Sequence, residues 1–156
     1  MTAAAARSTD SRRRTPVQTV ATVVSIVFLL VGIAGFIPGL TTQYGDMGFA
    51  GMNSMAMLLG VFQVSVLHNI VHLLFGVVGL ISARSARGAK LFLIIGGIVY
   101  AVLWIYGLAI DMGSSANFVP LNTADNWLHF VLAVGMILLG LLVPGDRRRT
   151  ADARRA

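Results

Sequence analysis

Two amino acids that most soluble proteins use freely are missing from this chain, and charge of either sign is scarce. The 156 residues contain no Cys and no Glu, and charged side chains make up 12% of the total. A soluble domain normally carries about a quarter charged residues. The lack of Cys excludes a disulfide scaffold. So little charge beside so much apolar content excludes both a water-soluble globule and a disordered chain.

The residues that are present point to a membrane. Hydrophobic side chains make up 56% of the chain, and the mean hydropathy is +0.81. The net charge of +6 would ordinarily suggest nucleic acid as a partner. Here, however, the basic residues flank apolar runs rather than forming a patch of their own. The composition therefore predicts an integral membrane protein that does not bind nucleic acid.

Four apolar runs without charged residues predict an all-α protein, a four-helix transmembrane bundle. A helix needs about 20 apolar residues to cross a bilayer core of about 30 Å. The predicted spans are residues 17–37, 64–83, 91–110 and 126–143. They form one membrane domain over residues 17–143, between a disordered basic tail at 1–16 and a second basic tail at 144–156. The first run exceeds the ~7–15 apolar residues of a signal peptide, which favours an uncleaved span.

The apolar stretch from residue 55 to residue 83 is too long for a single perpendicular helix at 1.5 Å per residue. The residues before it, 39–54, are rich in Gly and are typical of a loop. We therefore expect a short interfacial or re-entrant helix near residues 52–62, ahead of the second span.

The basic residues predict the orientation of the bundle. All twelve fall on one side of the four-span arrangement: Arg7, Arg12, Arg13, Arg14, Arg84, Arg87, Lys90, Arg147, Arg148, Arg149, Arg154 and Arg155. The loops on the other side carry Asp46, Asp111 and Asp125 at or near their ends. Because Lys and Arg accumulate in cytoplasmic loops, we expect a protein of the cell membrane with both termini in the cytoplasm. The Arg runs are expected to contact anionic lipid headgroups.

A short repeat links the second and fourth spans. Each begins with an Asn and a His three residues apart, Asn69 and His72 in one and Asn126 and His129 in the other. Both spans enter from the extracytoplasmic side, so the equivalent residues should lie at equal depth. The pattern predicts two helical hairpins related by a pseudo-two-fold axis along the membrane normal.

These two stretches also carry a resemblance to a known family. The segments FQVSVLHNIVHLLFGVVGL (62–80) and NFVPLNTADNWLHFVLAVGMILLG (117–140) resemble the signature stretches of the DUF4383 family of small actinobacterial membrane proteins. The clusters H-N-x-V-H-L and P-L-N-x-A-D-N-x-L-H are unusual in apolar helices, and the resemblance covers about residues 15–145. It implies a small four-span membrane protein of unassigned function, with no activity, cofactor or site residue attached.

The polar residues of these helices should converge near the outer interface. His68 and His72 are four residues apart, as are Asp125 and His129, so each pair shares a helical face. If the helices are neighbours, Asn69 and Asn126 join the same cluster. In a purely structural interpretation, Asn and His form interhelical hydrogen bonds that fix the register, and Asp125 caps the fourth helix. The loop at residues 117–124 is expected to fold over the helix ends and cover the histidines.

Ligand binding by the same residues is the alternative. His68, His72 and His129, with Asp125, are ligand types that suit Zn(II) or Cu(II), since imidazole and carboxylate bind borderline cations. Nearby thioethers favour Cu(I) and belong to Met47, Met52, Met55 and Met57. A b-type haem held by His72 and His129, or a pH sensor built on the imidazoles, is also compatible with the pattern.

The sequence lacks the usual marks of an enzyme. It has no Cys nucleophile, no Gly-rich phosphate loop, no H-E-x-x-H and no G-x-S-x-G. No charged residue lies midway along any span, where a transporter or pump usually needs one. The sequence therefore predicts a non-enzymatic structural or accessory membrane component that requires no cofactor. It would act as a homo-oligomer or within a larger membrane complex.

Overall fold

Four helices and a small sheet make up residues 14–145, which are the residues that the computed structural model describes. The elements are α1 (Pro16–Ala34), β1 (Thr41–Thr42), a 3-10 turn (Tyr44–Asp46), β2 (Met57–Leu58), β3 (Phe62–Gln63), α2 (Val66–Ser82), α3 (Ala86–Ala109) and α4 (Thr123–Leu142). The predicted all-α bundle is therefore confirmed. Most of both predicted tails, residues 1–13 and 146–156, lies outside the described residues.

The last three helices begin at polar residues that cap them. Ser65, Ser85 and Asn122 each accept a hydrogen bond from the backbone N–H three residues later, at 3.1, 3.0 and 2.9 Å. A side-chain oxygen at this position satisfies one of the N–H groups that the first turn leaves free. The cap at Ser85 starts α3 ahead of the span expected at residues 91–110, so the basic turn between α2 and α3 is very short.

Three of the helices, α1, α3 and α4, are long and apolar enough to cross a membrane, judged by length and composition. The fourth, α2, is equally apolar in character but has 17 residues. These helices agree with the prediction of a membrane protein.

The prediction of a short helix near residues 52–62 is wrong. That segment contains β2, which pairs antiparallel with β1 on one side and with β3 on the other. The chain reverses between β2 and β3 at Leu59 and Gly60, whose φ angles are +54° and +70°. A right-handed helix cannot continue through two left-handed residues. The helix was predicted from apolar content alone. The turn at Leu59 and Gly60 instead reverses the chain, so that the residues on either side pair as strands.

The helices pair as two hairpins, α1 with α2 and α3 with α4. α1 and α3 end, and α2 and α4 begin, at the same end of the bundle. We call it the histidine end, because His68, His72 and His129 lie in the first two turns of α2 and α4. The hairpins meet along α1 and α3, where the rings of Phe28 and Tyr100 stack with centroids 5.6 Å apart and planes 17° apart.

The aromatic contacts reveal a pseudo-two-fold relation between the hairpins. Within the first hairpin the Phe28 ring packs on His72 at 5.6 Å, with planes 51° apart. Within the second, Tyr100 packs on His129 at 5.2 Å, with planes 54° apart. Phe28 and Tyr100 therefore take equivalent places, and their stacked rings lie where the axis passes. The structure supports the predicted repeat of parallel hairpins and extends it to α1 and α3.

A second pair of equivalent contacts closes each hairpin at the histidine end. The Asn69 carboxamide occupies the place where a Cβ on Gly35 would lie, and the Asn126 carboxamide does the same at Gly107. Only a residue without a side chain leaves this space. Each Gly lies seven residues after its aromatic partner, Phe28 or Tyr100, so the two contacts share one spacing.

We expect Gly35→Ala and Gly107→Ala each to destabilise the protein by about 1–3 kcal/mol, because the new methyl group overlaps a buried carboxamide. The check is thermal unfolding of the detergent-solubilised protein, followed by circular dichroism. Gly135→Ala is the matched control, since no atom lies within 4 Å of a Cβ at that position of α4. It should be neutral or stabilising by up to about 1 kcal/mol. Equal melting temperatures for all three variants would contradict the role given to the Asn–Gly contacts.

Candidate functional site

A cavity of about 190 Å³ lies between α2 and α3 at the histidine end, and we call it the larger cavity. It is lined by Ser65, Leu67, His68, Val71, His72, Tyr100, Leu103, Phe118, Val119, Pro120 and His129. Most of these side chains are apolar, and the exceptions are Ser65, the Tyr100 hydroxyl and the three histidines. A few polar groups in an apolar wall are typical of a small-molecule site.

A second cavity of about 120 Å³, the smaller cavity, lies on the α1–α4 side of the same histidines. Its wall contains Val31, Leu58, Leu59, Phe62, Val64, His68, His72, Asp125, Leu128, His129 and Leu132. His68, His72 and His129 line both cavities, so the histidines form the partition between them. The structure therefore brings together the three imidazoles that the sequence singled out, with Asp125 on one side.

The two cavities are related by the same pseudo-two-fold axis as the hairpins. His72 and His129 take equivalent places and line both. His68 and Asp125 also take equivalent places, since each is the third residue of its helix and precedes the shared His by four. The two halves of the site are therefore equivalent except at one position, where α2 has the imidazole of His68 and α4 has the carboxyl group of Asp125.

The hydrogen bonding of the histidines sets what they offer a ligand. The His72 Nδ1 lies 3.0 Å from the His68 carbonyl oxygen. A carbonyl only accepts, so Nδ1 carries the hydrogen, and Nε2 of the neutral ring is an acceptor. The rings of His68 and His72 stack at 4.3 Å with planes 6° apart. His129 is 4% exposed, and its buried Nδ1 has no hydrogen-bond partner among the described residues.

Asp125 holds the loops of the histidine end together. Its Oδ2 accepts hydrogen bonds from the backbone N–H groups of Gln63, at 3.0 Å, and Asn122, at 3.1 Å. The carboxylate is 2% exposed, so β3 and the start of α4 are joined by a buried ionisable group. The expectation that Asp125 is the cap of α4 is wrong by three residues, because Asn122 is the N-cap and Asp125 completes a capping box with it.

The two asparagines do not act as the structural interpretation expected. Asn69 and Asn126 are buried, and within residues 14–145 their Oδ1 atoms have no hydrogen-bond partner. Each oxygen lies against a glycine, where Cα–H groups act as weak donors. The Asn69 Nδ2 donates to the Met47 sulfur at 3.8 Å. Shape fit to Gly35 and Gly107, rather than an interhelical hydrogen bond, therefore sets the register.

The loop before α4 covers the histidines, as the sequence predicted. Phe118, Val119 and Pro120 form part of the wall of the larger cavity. Asn117, which sequence reasoning did not single out, keeps the loop in place and is 1% exposed. Its Nδ2 donates to the carbonyls of Met112 and Leu121 at 3.0 Å, and its Oδ1 accepts from the Leu121 N–H at 3.0 Å.

The two loops of the histidine end also contact each other. The Gly51 N–H donates to the Phe118 carbonyl at 2.8 Å, and the Asn122 side chain donates to the Val61 carbonyl at 2.8 Å. Together with the Asp125 contacts, these bonds hold the loop between α1 and α2 against the loop between α3 and α4. The cavities are therefore bounded by ordered backbone above and by helices on the sides.

The described side chains are not arranged as the ligands of a metal ion. Among residues 14–145, no group of three or more His, Cys, Asp or Glu side chains is placed to hold a metal ion. The rings of His68 and His72 face each other in a stack, whereas two ligands of one ion direct their nitrogens to a common point. The metal site of His68, His72, His129 and Asp125 stays a prediction without geometric support.

Comparison with known proteins gives a family and nothing further. Residues 18–142 match a family model described as a domain of unknown function (DUF4383). A search of curated proteins and a search of solved structures each found no match. The match spans all four helices except the first two residues of α1, so it includes Asn69, Asn126 and all three histidines.

We expect Asp125→Ala to destabilise the protein by about 2–3 kcal/mol, because it leaves two backbone N–H groups without their acceptor. The amide of Gln63 should also exchange with solvent faster, which hydrogen–deuterium exchange of residues 57–63 measures. Asp111→Ala is the control, because that carboxylate is exposed and bonds within its own turn, to the Gly113 N–H at 2.9 Å. It should cost about 0.5 kcal/mol. Equal effects of the two substitutions would contradict the bridging role of Asp125.

Proposed function

This chain belongs to the DUF4383 family, and we propose that it is a non-enzymatic, four-span accessory component of the cell membrane. Its backbone polar groups are satisfied within helices over the long apolar segments, which is what a bilayer core demands. The described basic residues at the end opposite the histidines, Arg14, Arg84, Arg87 and Lys90, support an orientation with both termini in the cytoplasm. The same residues are placed to contact anionic lipid headgroups.

The length of α2 is compatible with a fourth span. Its 17 residues extend about 26 Å at 1.5 Å per residue, close to the hydrocarbon thickness of a bilayer. It packs against α1, a helix of 19 residues, from Asn69 on Gly35 to Gly79 on Ser25, so the two helices lie at the same depth. An even number of spans keeps the two termini on one side.

The surroundings of Asp125 are the observation that carries the non-enzymatic assignment. Acid–base chemistry by a carboxylate needs that group within reach of a substrate proton. The carboxylate beside the histidines is bound to the backbone of Gln63 and Asn122, which makes it part of the scaffold. The sequence has no Glu to replace it and no Cys to serve as a nucleophile. The carboxylate beside the histidines therefore joins loops to helices, while the imidazoles line the cavities.

Metal or haem binding by the histidines is the second candidate. It is favoured by one observation, the convergence of His68, His72 and His129 on the same two cavities. The stacked rings of His68 and His72 and the small cavity volumes weigh against it, since a haem is far larger than either cavity.

The orientation is tested with single cysteines, which the chain permits because it has none of its own. Gly45→Cys and Ser115→Cys lie in exposed loops of the histidine end, and Arg84→Cys lies in the exposed turn at the other end. On intact cells a membrane-impermeant maleimide should label the first two and leave Arg84→Cys unlabelled until the cells are opened. Labelling of Arg84→Cys alone on intact cells would show the opposite orientation. Equal labelling of both ends would contradict the four-span arrangement.

The cofactor alternative is tested on protein purified gently from its native membrane. We expect no stoichiometric metal by elemental analysis and no Soret band, because the described side chains offer no three-ligand group. Titration with Zn(II), Cu(I) and haem should likewise show no saturable binding. A stoichiometric metal or haem that both His72→Ala and His129→Ala abolish would overturn the assignment and make the protein a cofactor binder.

A further inference from the structure

The larger cavity has a wall on the outer face of the helices. Val71 of α2 is 50% exposed and Phe118 of the covering loop is 59% exposed, and both line the cavity. In a membrane-embedded bundle the Val71 side chain of α2 faces hydrocarbon, and Phe118 borders it at the end of the helices. A molecule dissolved in the bilayer would therefore reach the cavity from the side, between α2 and α3.

The size of the cavity limits its ligand to about one ring. An engineered apolar cavity of about 150 Å³ takes up benzene, and this one measures about 190 Å³. A six-membered ring with one short substituent fits that volume. Tyr100, Leu103 and Pro120 supply the flat and apolar surfaces on which such a ring packs.

The polar groups of the wall define the chemistry of the substituent. His72 offers an acceptor at Nε2, because its Nδ1 hydrogen is bound to the His68 carbonyl. His129 is 4% exposed and keeps a ring nitrogen without a partner among the described residues. A plain hydrocarbon chain in the cavity would leave both imidazoles unpaired in an apolar medium, which costs free energy. A hydroxyl group satisfies them, since it both donates and accepts.

We propose that the larger cavity binds a membrane-soluble molecule of the phenol or hydroquinone class, with one ring that carries a hydroxyl group. The ring lies between α2 and α3 under the loop at Phe118, and the hydroxyl donates to His72 with His129 as the second polar contact. This site goes beyond the proposed accessory function and rests on its membrane placement only for the route of entry. Binding is therefore tested separately from orientation.

The test measures uptake of three matched probes by the full chain in nanodiscs, using equilibrium dialysis with empty nanodiscs as the reference. 4-Propylphenol has the donor, 4-propylanisole has the same ring with the hydroxyl methylated, and propylbenzene has no oxygen. We expect saturable uptake of one 4-propylphenol per chain, with at least tenfold weaker uptake of the other two. The donor is what separates them, since partition into lipid is subtracted.

Three variants locate the site. Val71→Trp fills the larger cavity from the lipid side and should abolish uptake of 4-propylphenol, while Val131→Trp places the same bulk at a 61% exposed position that lines neither cavity. His72→Phe keeps a planar ring and removes the acceptor, so it should weaken uptake at least tenfold. Both valines are at the surface, so both tryptophan variants should fold, which thermal unfolding checks.

Several results would overturn the proposal. They are an absence of saturable uptake above empty nanodiscs, equal uptake of phenol and anisole, or unchanged uptake by folded Val71→Trp. Equal loss in Val71→Trp and Val131→Trp would place the uptake elsewhere on the protein. The maleimide labelling pattern is independent of all these results, so failure of this site and failure of the proposed orientation are distinguishable.

Discussion

The fit of an asparagine carboxamide onto a glycine is the contact on which the rest of the histidine end depends. Asn69 lies against Gly35 and Asn126 against Gly107, so each hairpin closes at a distance that only glycine permits. This close approach sets the height of α2 relative to α1 and of α4 relative to α3. His72 and His129, one turn further along α2 and α4, then meet the aromatic rings of Phe28 and Tyr100. A cavity remains on each side of them, because α2 and α4 are drawn to their own partners rather than to each other.

The polar groups at the histidine end have two different roles, since some bind the loops and others line the cavities. The buried carboxyl group of Asp125 accepts hydrogen bonds from two backbone N–H groups and joins two loops. Asn117 uses three hydrogen bonds to shape the loop that carries Phe118. The imidazoles, which are less costly to leave partly unpaired, line the cavities. Scaffold and cavity wall are thus assigned to different residue types, although both occur in one short stretch of chain.

Much of this arrangement was predictable from residue patterns. Apolar runs predicted the bundle, and the Asn-x-x-His repeat predicted that two hairpins are equivalent. The part of the repeat in α1 and α3 was missed, because Phe28 and Gly35 share only a seven-residue spacing with Tyr100 and Gly107, and such residues are common in apolar helices. The strands at 57–63 were missed because hydropathy does not distinguish a short strand from a helix, whereas the left-handed turn at Leu59 and Gly60 does. Sequence spacing predicts which residues share a helix face. The bond between Asp125 and the backbone of Gln63 joins segments far apart in the chain, so only the folded structure reveals it.

The pseudo-two-fold axis has a consequence for how the two halves diverge. Two separate copies of a single hairpin could associate around the same axis, with an aromatic ring stacked on its own symmetry mate as Phe28 stacks on Tyr100. In such a homodimer every position is occupied twice by one residue type. Joining the hairpins in one polypeptide removes that requirement, and His68 and Asp125 occupy equivalent places with different chemistry. Covalent linkage therefore lets one half specialise in closing the loops while the other keeps an imidazole, a division of labour that an assembly of identical hairpins cannot have.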